Sequence, residues 1–152
     1  MIKLRRIDIY MNKSHENLNC NNSTFVININ QTTKQNKAFL RTCWTGKHLQ
    51  LTVMSIPTGH CIGIEQHNVD QVIQIEEGYG TIKTGKTKSK MDFERKIDKH
   101  HMVIIPAGLW HNIINTGSQP LKPFSIYAPP QHPHNTLYLT KKDATTHKES
   151  KD

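Results

Sequence analysis

Four side chains that can bind a metal ion recur along this chain, three of them at a spacing that favours a β-strand. Glu65 and His67 are two residues apart, and Gln71 follows four residues later. Because residues i and i+2 of a strand share a face, Glu65 and His67 can direct their side chains to one point. Gln71 begins a run in which Ile73 and Ile75 have the same parity, so a strand here would place the amide on an apolar face. A polar group on such a face needs partners, which a bound metal ion would supply.

The fourth side chain, His111, lies in the segment 106–115. It can complete the set only if a second pair of strands folds back over the first. Pro106 and Gly108 favour a turn that presents this histidine. The pattern therefore predicts a metal site with oxygen and nitrogen ligands inside a small barrel. The alternative is a buried polar cluster in which Glu65 is paired with a histidine, an arrangement that costs stability unless every group is satisfied.

Two segments of the chain resemble the two consensus motifs of the cupin superfamily. The residues that carry the resemblance are Gly59, Glu65, His67, Gln71 and Gly78 in the first motif and Pro106, Gly108, His111 and Asn115 in the second. The spacing fits in both motifs, and the resemblance extends from about residue 36 to about residue 144. The chain resembles in particular the small single-domain bacterial cupins of type 2, some of which are described as mannose-6-phosphate isomerase-like. The resemblance implies an all-β fold, an antiparallel double-stranded β-helix (jelly-roll) barrel.

The same resemblance implies that Glu65, His67, Gln71 and His111 are ligands of one divalent metal ion, with Fe, Mn, Ni and Zn all compatible. The chain departs from the usual cupin order of His, His, Glu and His, because Glu65 takes the first place and Gln71 the third. One carboxylate has moved rather than disappeared, so the formal charge of the site is preserved. Glutamine is a weaker ligand than glutamate, and the alternative role for Gln71 is a hydrogen bond to a metal-bound water.

Short apolar segments separated by turn residues continue through most of the chain. Strands are predicted at residues 25–29, 38–44, 49–56, 72–77, 81–84, 91–97, 102–105, 112–115, 122–127 and 135–139. No stretch of helical period exceeds about two turns, and many short strands with regular turns fit a β-sandwich or barrel. The loop that carries His132 and His134 is expected to be solvated, although the resemblance places it near the barrel. We expect a disordered leader over residues 1–24, a barrel domain over 25–140 and a polar, fraying tail over 141–152.

Charge and cysteine content restrict the partners. The formal net charge is +8, from 20 Lys and Arg against 12 Asp and Glu. Few aromatic residues are interleaved with the lysines, so the stacking platform of proteins that bind single-stranded nucleic acid is missing and we expect no nucleic-acid partner. An anionic small molecule is the alternative interpretation of the charge. Three cysteines without CxxC spacing, no signal peptide and no apolar span predict free thiols, a cytoplasmic location and no membrane contact.

These patterns predict a small metal-binding cupin that binds or acts on a small polar metabolite, with the chemistry left open. The alternatives are a metal-dependent sugar-phosphate isomerase, an oxygenase, and a binder of sugar-like molecules without turnover. Small cupins commonly form dimers, and open sheet edges are stabilised by pairing. The resemblance therefore implies a homodimer that uses residues 25–29.

Overall fold

The structure is a computed structural model that describes residues 24–149. The predicted disordered leader at residues 1–24 lies almost wholly outside the described residues, as does the end of the predicted tail. Within that range the chain forms nine strands and two helices, α1 (Ile29–Gln35) and α2 (Lys141–Glu149). The strands are β1 (Leu40–Thr45), β2 (Gln50–Met54), β3 (Asp70–Glu77), β4 (Gly80–Gly85), β5 (Phe93–Ile97), β6 (Met102–Ile105), β7 (Trp110–Asn115), β8 (Lys122–Ala128) and β9 (Leu137–Tyr138).

The strands form two antiparallel sheets with an aliphatic core between them. The larger sheet has the order β6-β3-β8-β2-β1-β9, and the smaller has the order β5-β4-β7. Both sheets contribute side chains to one buried cluster. Full burial of each aliphatic side chain favours folding by about 1.5–3 kcal/mol. The members of the cluster are Ile56, Ile73, Ile75, Ile82, Ile97, Ile105, Ile113 and Leu121. The prediction of an all-β antiparallel barrel is confirmed.

Strand β3 has the alternation that the sequence predicted. Gln71, Ile73 and Ile75 are buried, whereas Val72 and Gln74 between them are half-buried. The strand is flanked by β6 and β8, so its backbone is paired on both sides. Since alternate residues of a strand share a face, the Gln71 amide lies on the same inner face as the two isoleucines.

The start of the described chain differs from the strand predicted at residues 25–29. Residues 24–28 have no regular structure, and α1 begins at Ile29. Asn28 caps this helix, because its side-chain oxygen accepts a hydrogen bond from the Gln31 N–H at 3.0 Å. Such a cap satisfies one of the unpaired donors in the first turn of a helix. The prediction of a strand here is wrong because five alternating residues favour a strand less strongly than the cap favours a helix.

The C-terminal segment is also helical, where the sequence predicted a polar, fraying tail. Helix α2 begins with a reciprocal cap, in which the Asp143 N–H donates to Thr140 Oγ1 at 3.3 Å and the Thr140 N–H donates to Asp143 Oδ2 at 2.8 Å. Ala144 of this helix packs against a second apolar cluster. The buried members of that cluster are Phe39, Leu40 and Met54. Among the described residues, no helix has the length and apolar character that crossing a bilayer requires.

Candidate metal centre

The segment between β2 and β3 carries two of the predicted ligands but does not form the strand that their spacing predicted. It contains only isolated bridges, and Gly63 within it has a φ of 95°, a conformation that interrupts an extended strand. Glu65 instead forms a reciprocal main-chain pair with His111 of β7, in which each N–H donates to the other carbonyl at 2.9 Å. The carbonyl of His67 accepts a further hydrogen bond from the Gly108 N–H at 2.7 Å. Main-chain hydrogen bonds therefore join the two motifs directly.

The turn before β7 is formed as predicted. The Leu109 N–H donates to the Pro106 carbonyl at 3.2 Å, and Gly108 has a φ of 83°. The Ala107 N–H donates to Asp70 Oδ1 at 2.9 Å, which ties this turn to the first residue of β3. The turn thus fixes where β7 starts relative to β3, and with it the position of the ligand that β7 carries.

Three of the four predicted ligands converge. Glu65 Oε1 lies 3.2 Å from His67 Nε2 and 3.6 Å from His111 Nε2. One ligand atom from each residue lies within 4.8 Å of the other two, so the cluster can hold one metal ion. The side chains of His67 and His111 are 5% and 1% exposed and that of Glu65 is 18% exposed, so the cluster is open to the cavity mainly through the carboxylate.

Two buried atoms of the predicted ligands lack a hydrogen-bond partner. The His111 Nδ1 lies 3.0 Å from the Leu109 carbonyl, which can only accept, so Nδ1 carries a proton, and in the neutral tautomer Nε2 presents a lone pair. That Nε2 is buried without a hydrogen bond. The Gln71 amide donates from Nε2 to Ser125 Oγ at 3.3 Å, which leaves its buried Oε1 without a partner as well. A metal-binding imidazole is neutral and has its other nitrogen bound to an acceptor, as His111 does at the Leu109 carbonyl. A metal-binding amide oxygen receives no hydrogen bond, as is the case for Gln71 Oε1. These two residues therefore fit a metal ion.

Gln71 lies on the wall of the same cavity as Glu65 and His67, which has a volume of about 370 Å³. A volume of this size is typical of a small-molecule site. The structure therefore brings three predicted ligands together, and the fourth, Gln71, lines the same cavity as two of them. His111 is almost fully buried and does not line the cavity.

The inner face of the larger sheet changes in polarity along the strands. Residues that pair directly across antiparallel strands share a face, so the register sorts the inner side chains into rows. The first row is polar, the second carries hydroxyl groups and the third is apolar. The rows are, in turn, Gln71 with Tyr127 and Gln50, then Ser125 with Thr52, then Met54 with Leu40 and Tyr138. At about 3.3 Å per residue, the four-residue step from the first row to the third is about 13 Å. Members of every row line the cavity.

His132 is a cavity residue that the sequence did not identify, since its loop was expected to be solvated. Its ring centroid lies 5.2 Å from that of Tyr127 and 6.5 Å from that of His67. The fully buried Gln50 holds the loop: Oε1 accepts from the N–H groups of Gln131 and His132 at 3.2 and 2.9 Å, and Nε2 donates to the His132 carbonyl at 2.8 Å. Gln50 and His132 are 82 positions apart, so local sequence carries no signal for this contact.

Tyr127 is a neutral hydrogen-bonding group at the polar end of the cavity. Its ring lies edge-on to that of His67, with 5.7 Å between the centroids. Burial, and then the nearby Glu65 carboxylate, raise the pKa of the Tyr127 phenol far above its usual range. The phenol therefore keeps its proton at any physiological pH.

The two described cysteines are free thiols, as predicted, and their environments differ; Cys20 lies outside the described residues. Burial raises the pKa of the Cys43 thiol to about 11. Cys61 is half-buried, with its sulfur 3.4 Å from Lys141 Nζ. Partial burial opposes ionisation of Cys61, but hydrogen bonds from the Gly63 N–H and from Lys141 outweigh it and lower the pKa of this thiol.

Comparison with known proteins gives relatives over most of the chain, although no protein-family model matches it. The uncharacterized protein YrkC of Bacillus subtilis is 53% identical over 121 residues, which are 79% of this chain. The chain spans 65% of the length of YrkC. The crystal structure of BH2720 from Bacillus halodurans is 48% identical, covers 82% of this chain and 96% of its own, and superposes with a TM-score of 0.80.

A more distant structure identifies the fold. An RmlC-like cupin family protein from Methanocaldococcus jannaschii, with a double-stranded β-helix fold, has a TM-score of 0.54. It is 18% identical and covers 63% of this chain and 84% of its own. At this identity the likeness concerns the fold alone. The predicted double-stranded β-helix is confirmed.

Proposed function

The chain belongs to the family that includes BH2720 and YrkC and has the double-stranded β-helix fold of cupins, and from this premise we propose that it is a metal-binding cupin. The divalent ion is held by Glu65, His67, Gln71 and His111, and a small metabolite binds beside it in the cavity. The similarity to BH2720 concerns the sequence and the fold and not a reaction, so the proposal rests on the residues of the site.

The observation that carries the proposal is the pair of buried atoms without partners, His111 Nε2 and Gln71 Oε1. An unsatisfied buried polar atom costs about 1–3 kcal/mol, and a bound ion would remove that cost for both. Glu65 supplies the single negative charge that two neutral imidazoles and an amide lack. Two histidines, one carboxylate and an amide oxygen suit Fe, Mn, Ni or Zn.

The chemistry of the site follows from what its residues do when a ligand is present. A divalent ion bound there supplies a Lewis acid for a ligand oxygen. The buried, protonated Tyr127 phenol lies beside the hydroxyl groups of Thr52 and Ser125 and adds no charge to this end of the cavity. His132, held by Gln50, closes this side of the cavity. These residues are compatible with two functions. The protein either binds a polar metabolite without turnover, or converts it as an isomerase or an oxygenase.

Metal content tests the proposal. The protein is purified without chelator and without nickel affinity resin, and its metals are measured by elemental analysis. Wild type and His101→Ala are expected to carry stoichiometric metal, and His67→Ala and His111→Ala to carry little. His101 is a matched control because it is exposed and its ring pairs with Asp98 at 2.8 Å. Unchanged metal content in both His67→Ala and His111→Ala would contradict the metal site and leave Glu65 a satisfied buried acid.

Turnover separates these two functions. A panel of sugar phosphates, monitored for isomerisation, tests the isomerase. Oxygen uptake by the Fe(II)-loaded protein in the presence of candidate metabolites tests the oxygenase. Saturable binding without either activity would identify a binding protein.

We also propose that the chain forms a homodimer and acts in the cytoplasm. The described free thiols support a reducing compartment. The dimer is no longer supported by a strand at residues 25–29, but Phe25 and Val26 in that segment are 42% and 87% exposed, and burying apolar side chains favours association. A single species of monomer mass in analytical ultracentrifugation at micromolar concentration would exclude the dimer.

A further inference from the structure

The cavity has a polar end and an apolar end, and this gradient restricts what it can hold. Gln71 and Tyr127 belong to the polar row beside Glu65 and His67, whereas Met54 belongs to the apolar row about 13 Å further along the strands. A ligand that extends from the metal ligands to the apolar row therefore passes from polar to apolar surroundings along its length.

The apolar end is walled on several sides. Phe39, Leu40 and Met54 form its buried cluster, and Ile62 packs against them. Helix α2 covers this end, because Ala144 packs on the same cluster and also lines the cavity. The buried lining of this end is aliphatic and aromatic, and the polar side chains that α2 adds already have partners: Lys141 Nζ donates to Cys61 Sγ and Thr145 Oγ1 donates to the Lys141 carbonyl. An unpaired hydroxyl in such surroundings is unfavourable, so a polyol fits poorly.

The charges that line the cavity favour an anion at the polar end. Glu65 is the single acidic residue among the described residues that line it, and Lys141 is the single lysine there. With a divalent ion bound, the formal charge at the polar end is +2 from the ion and −1 from Glu65, a net +1, whereas Lys141 lies on α2 with its Nζ 3.4 Å from Cys61 Sγ. Opposite charge stabilises an anionic ligand in a partly desolvated site.

From this gradient we infer the ligand class: an amphipathic carboxylic acid. Its carboxylate lies at the end formed by Glu65, His67, Gln71 and His111, and its hydrocarbon body extends along the inner face of the larger sheet to Leu40 and Met54 beneath α2. This inference rests on the proposed function, since the carboxylate is drawn to the metal end. It favours organic acids over the sugar phosphates that the cupin resemblance suggested.

Binding of a chain-length series tests this inference without any assay of turnover. Acetate, butanoate, hexanoate and octanoate are titrated by calorimetry into metal-loaded and into chelator-treated wild-type protein, with fructose 6-phosphate as the sugar-phosphate probe. We expect affinity to rise about fourfold for each added methylene until the apolar end is filled, because each buried methylene favours binding by a constant increment. Fructose 6-phosphate is expected to bind more weakly than hexanoate.

Substitution of Ala144 tests where the hydrocarbon lies. Ala144→Phe fills the apolar end and is expected to weaken octanoate binding more than tenfold while leaving acetate unchanged. Thr146→Phe is the matched control, because Thr146 lies on the same helix but is exposed and does not line the cavity. Equal weakening of acetate and octanoate by Ala144→Phe would overturn the location of the hydrocarbon body.

Failure of this inference and failure of the metal site give different results. If metal binds but affinity does not rise with chain length, or fructose 6-phosphate binds more tightly than hexanoate, the ligand class is wrong and the metal site stands. If wild type takes up no metal, the proposed function fails. The chain-length series on that metal-free protein then decides the ligand class: a rise with length supports it and a flat series overturns it.

Discussion

The two ends of the cavity are held in place by different forces. At the polar end, ligands that are far apart in sequence are fixed by main-chain hydrogen bonds, as in the reciprocal pair of Glu65 and His111 at 2.9 Å. At the apolar end, Leu40 and Met54 are strand partners of β1 and β2, and α2 closes this end through the side-chain packing of Ala144 against their cluster. The positions of the ligands therefore depend on the backbone, whereas the shape of the apolar end depends on side-chain volume. Metal affinity and folding stability should respond to different substitutions.

The largest expected effect is that of His111→Ala on metal affinity. Loss of a partner of a metal ligand costs about 10–100-fold in affinity, so loss of a ligand itself should exceed about 100-fold. Competition with a chromogenic chelator measures it. His101→Ala should retain the wild-type affinity, and a similar loss in that control would show that the effect is not specific to the site.

Met54→Ala should have the opposite profile. We expect it to lower the free energy of unfolding by about 2 kcal/mol, near the lower limit for truncating a buried methionine because the side chain already borders a cavity. Metal affinity should be unchanged. Urea unfolding of the chelator-treated protein measures stability, and Met102→Ala is the control, expected within about 0.5 kcal/mol of wild type because Met102 is 61% exposed. A loss of metal in Met54→Ala would show that the two ends are coupled.

Gln50→Ala tests the connection between the sheet and the loop over the cavity. The change removes every hydrogen bond that the amide makes to Gln131 and His132, and we expect a loss of about 1–2 kcal/mol in stability. Hydrogen exchange at the amides of those two loop residues should accelerate relative to the amides of β8. Retained protection at both amides would show that the loop is held by other contacts.

Gln71 is expected to make a smaller contribution to metal affinity than either histidine. Gln71→Ala should weaken the ion about tenfold, since a neutral amide is a weak ligand whether it binds the ion or a water on it. Gln71→Glu should tighten the ion, because it adds a negative charge, and should destabilise the metal-free protein by placing a second carboxylate near Glu65. Chelator competition and urea unfolding measure the two effects. A tighter ion in Gln71→Ala would exclude a role for this amide in binding.

The smallest expected effect concerns Cys61. Because the thiolate is the nucleophile, its lowered pKa predicts faster alkylation by iodoacetamide at pH 7 than at Cys43, where burial raises the pKa to about 11. Lys141→Met should slow the reaction of Cys61 several-fold, and Lys142→Met should not, since Lys142 is exposed. Mass spectrometry of a Cys20→Ser background measures both rates. Faster alkylation of Cys43 in the native protein would contradict the assignment.

Most of the strands were predicted from the sequence alone because they leave short-range signals. The alternation of Gln71, Ile73 and Ile75 corresponds to the buried face of β3, and Pro106 with Gly108 marks the turn before β7. The residues Glu65 and His67 were identified through strand parity, yet their segment is irregular. They meet through pairing with β7, which parity does not describe.

The errors arose where a short polar signal or a long-range contact decides the structure. The cap at Asn28 starts a helix where alternation predicted a strand, and the pair Thr140 and Asp143 starts another where polarity predicted a tail. Both caps match helix-start patterns, which strand alternation and polar composition do not reveal. The position of His132 is different, because it depends on Gln50, and no local pattern specifies that contact.

The main-chain pair of Glu65 and His111 has a consequence for how such a site changes over evolution. Each N–H of the pair donates to the other carbonyl, and these bonds form whatever side chain stands at position 65 or 111. The backbone at these two positions therefore keeps its place when the side chains are exchanged for other donor groups. The carboxylate of Glu65 at the first motif position and the amide of Gln71 at the third, in place of the usual cupin order, are exchanges of this kind. Under the proposed function, single substitutions at these positions would change the set of donor atoms while these main-chain hydrogen bonds stay in place.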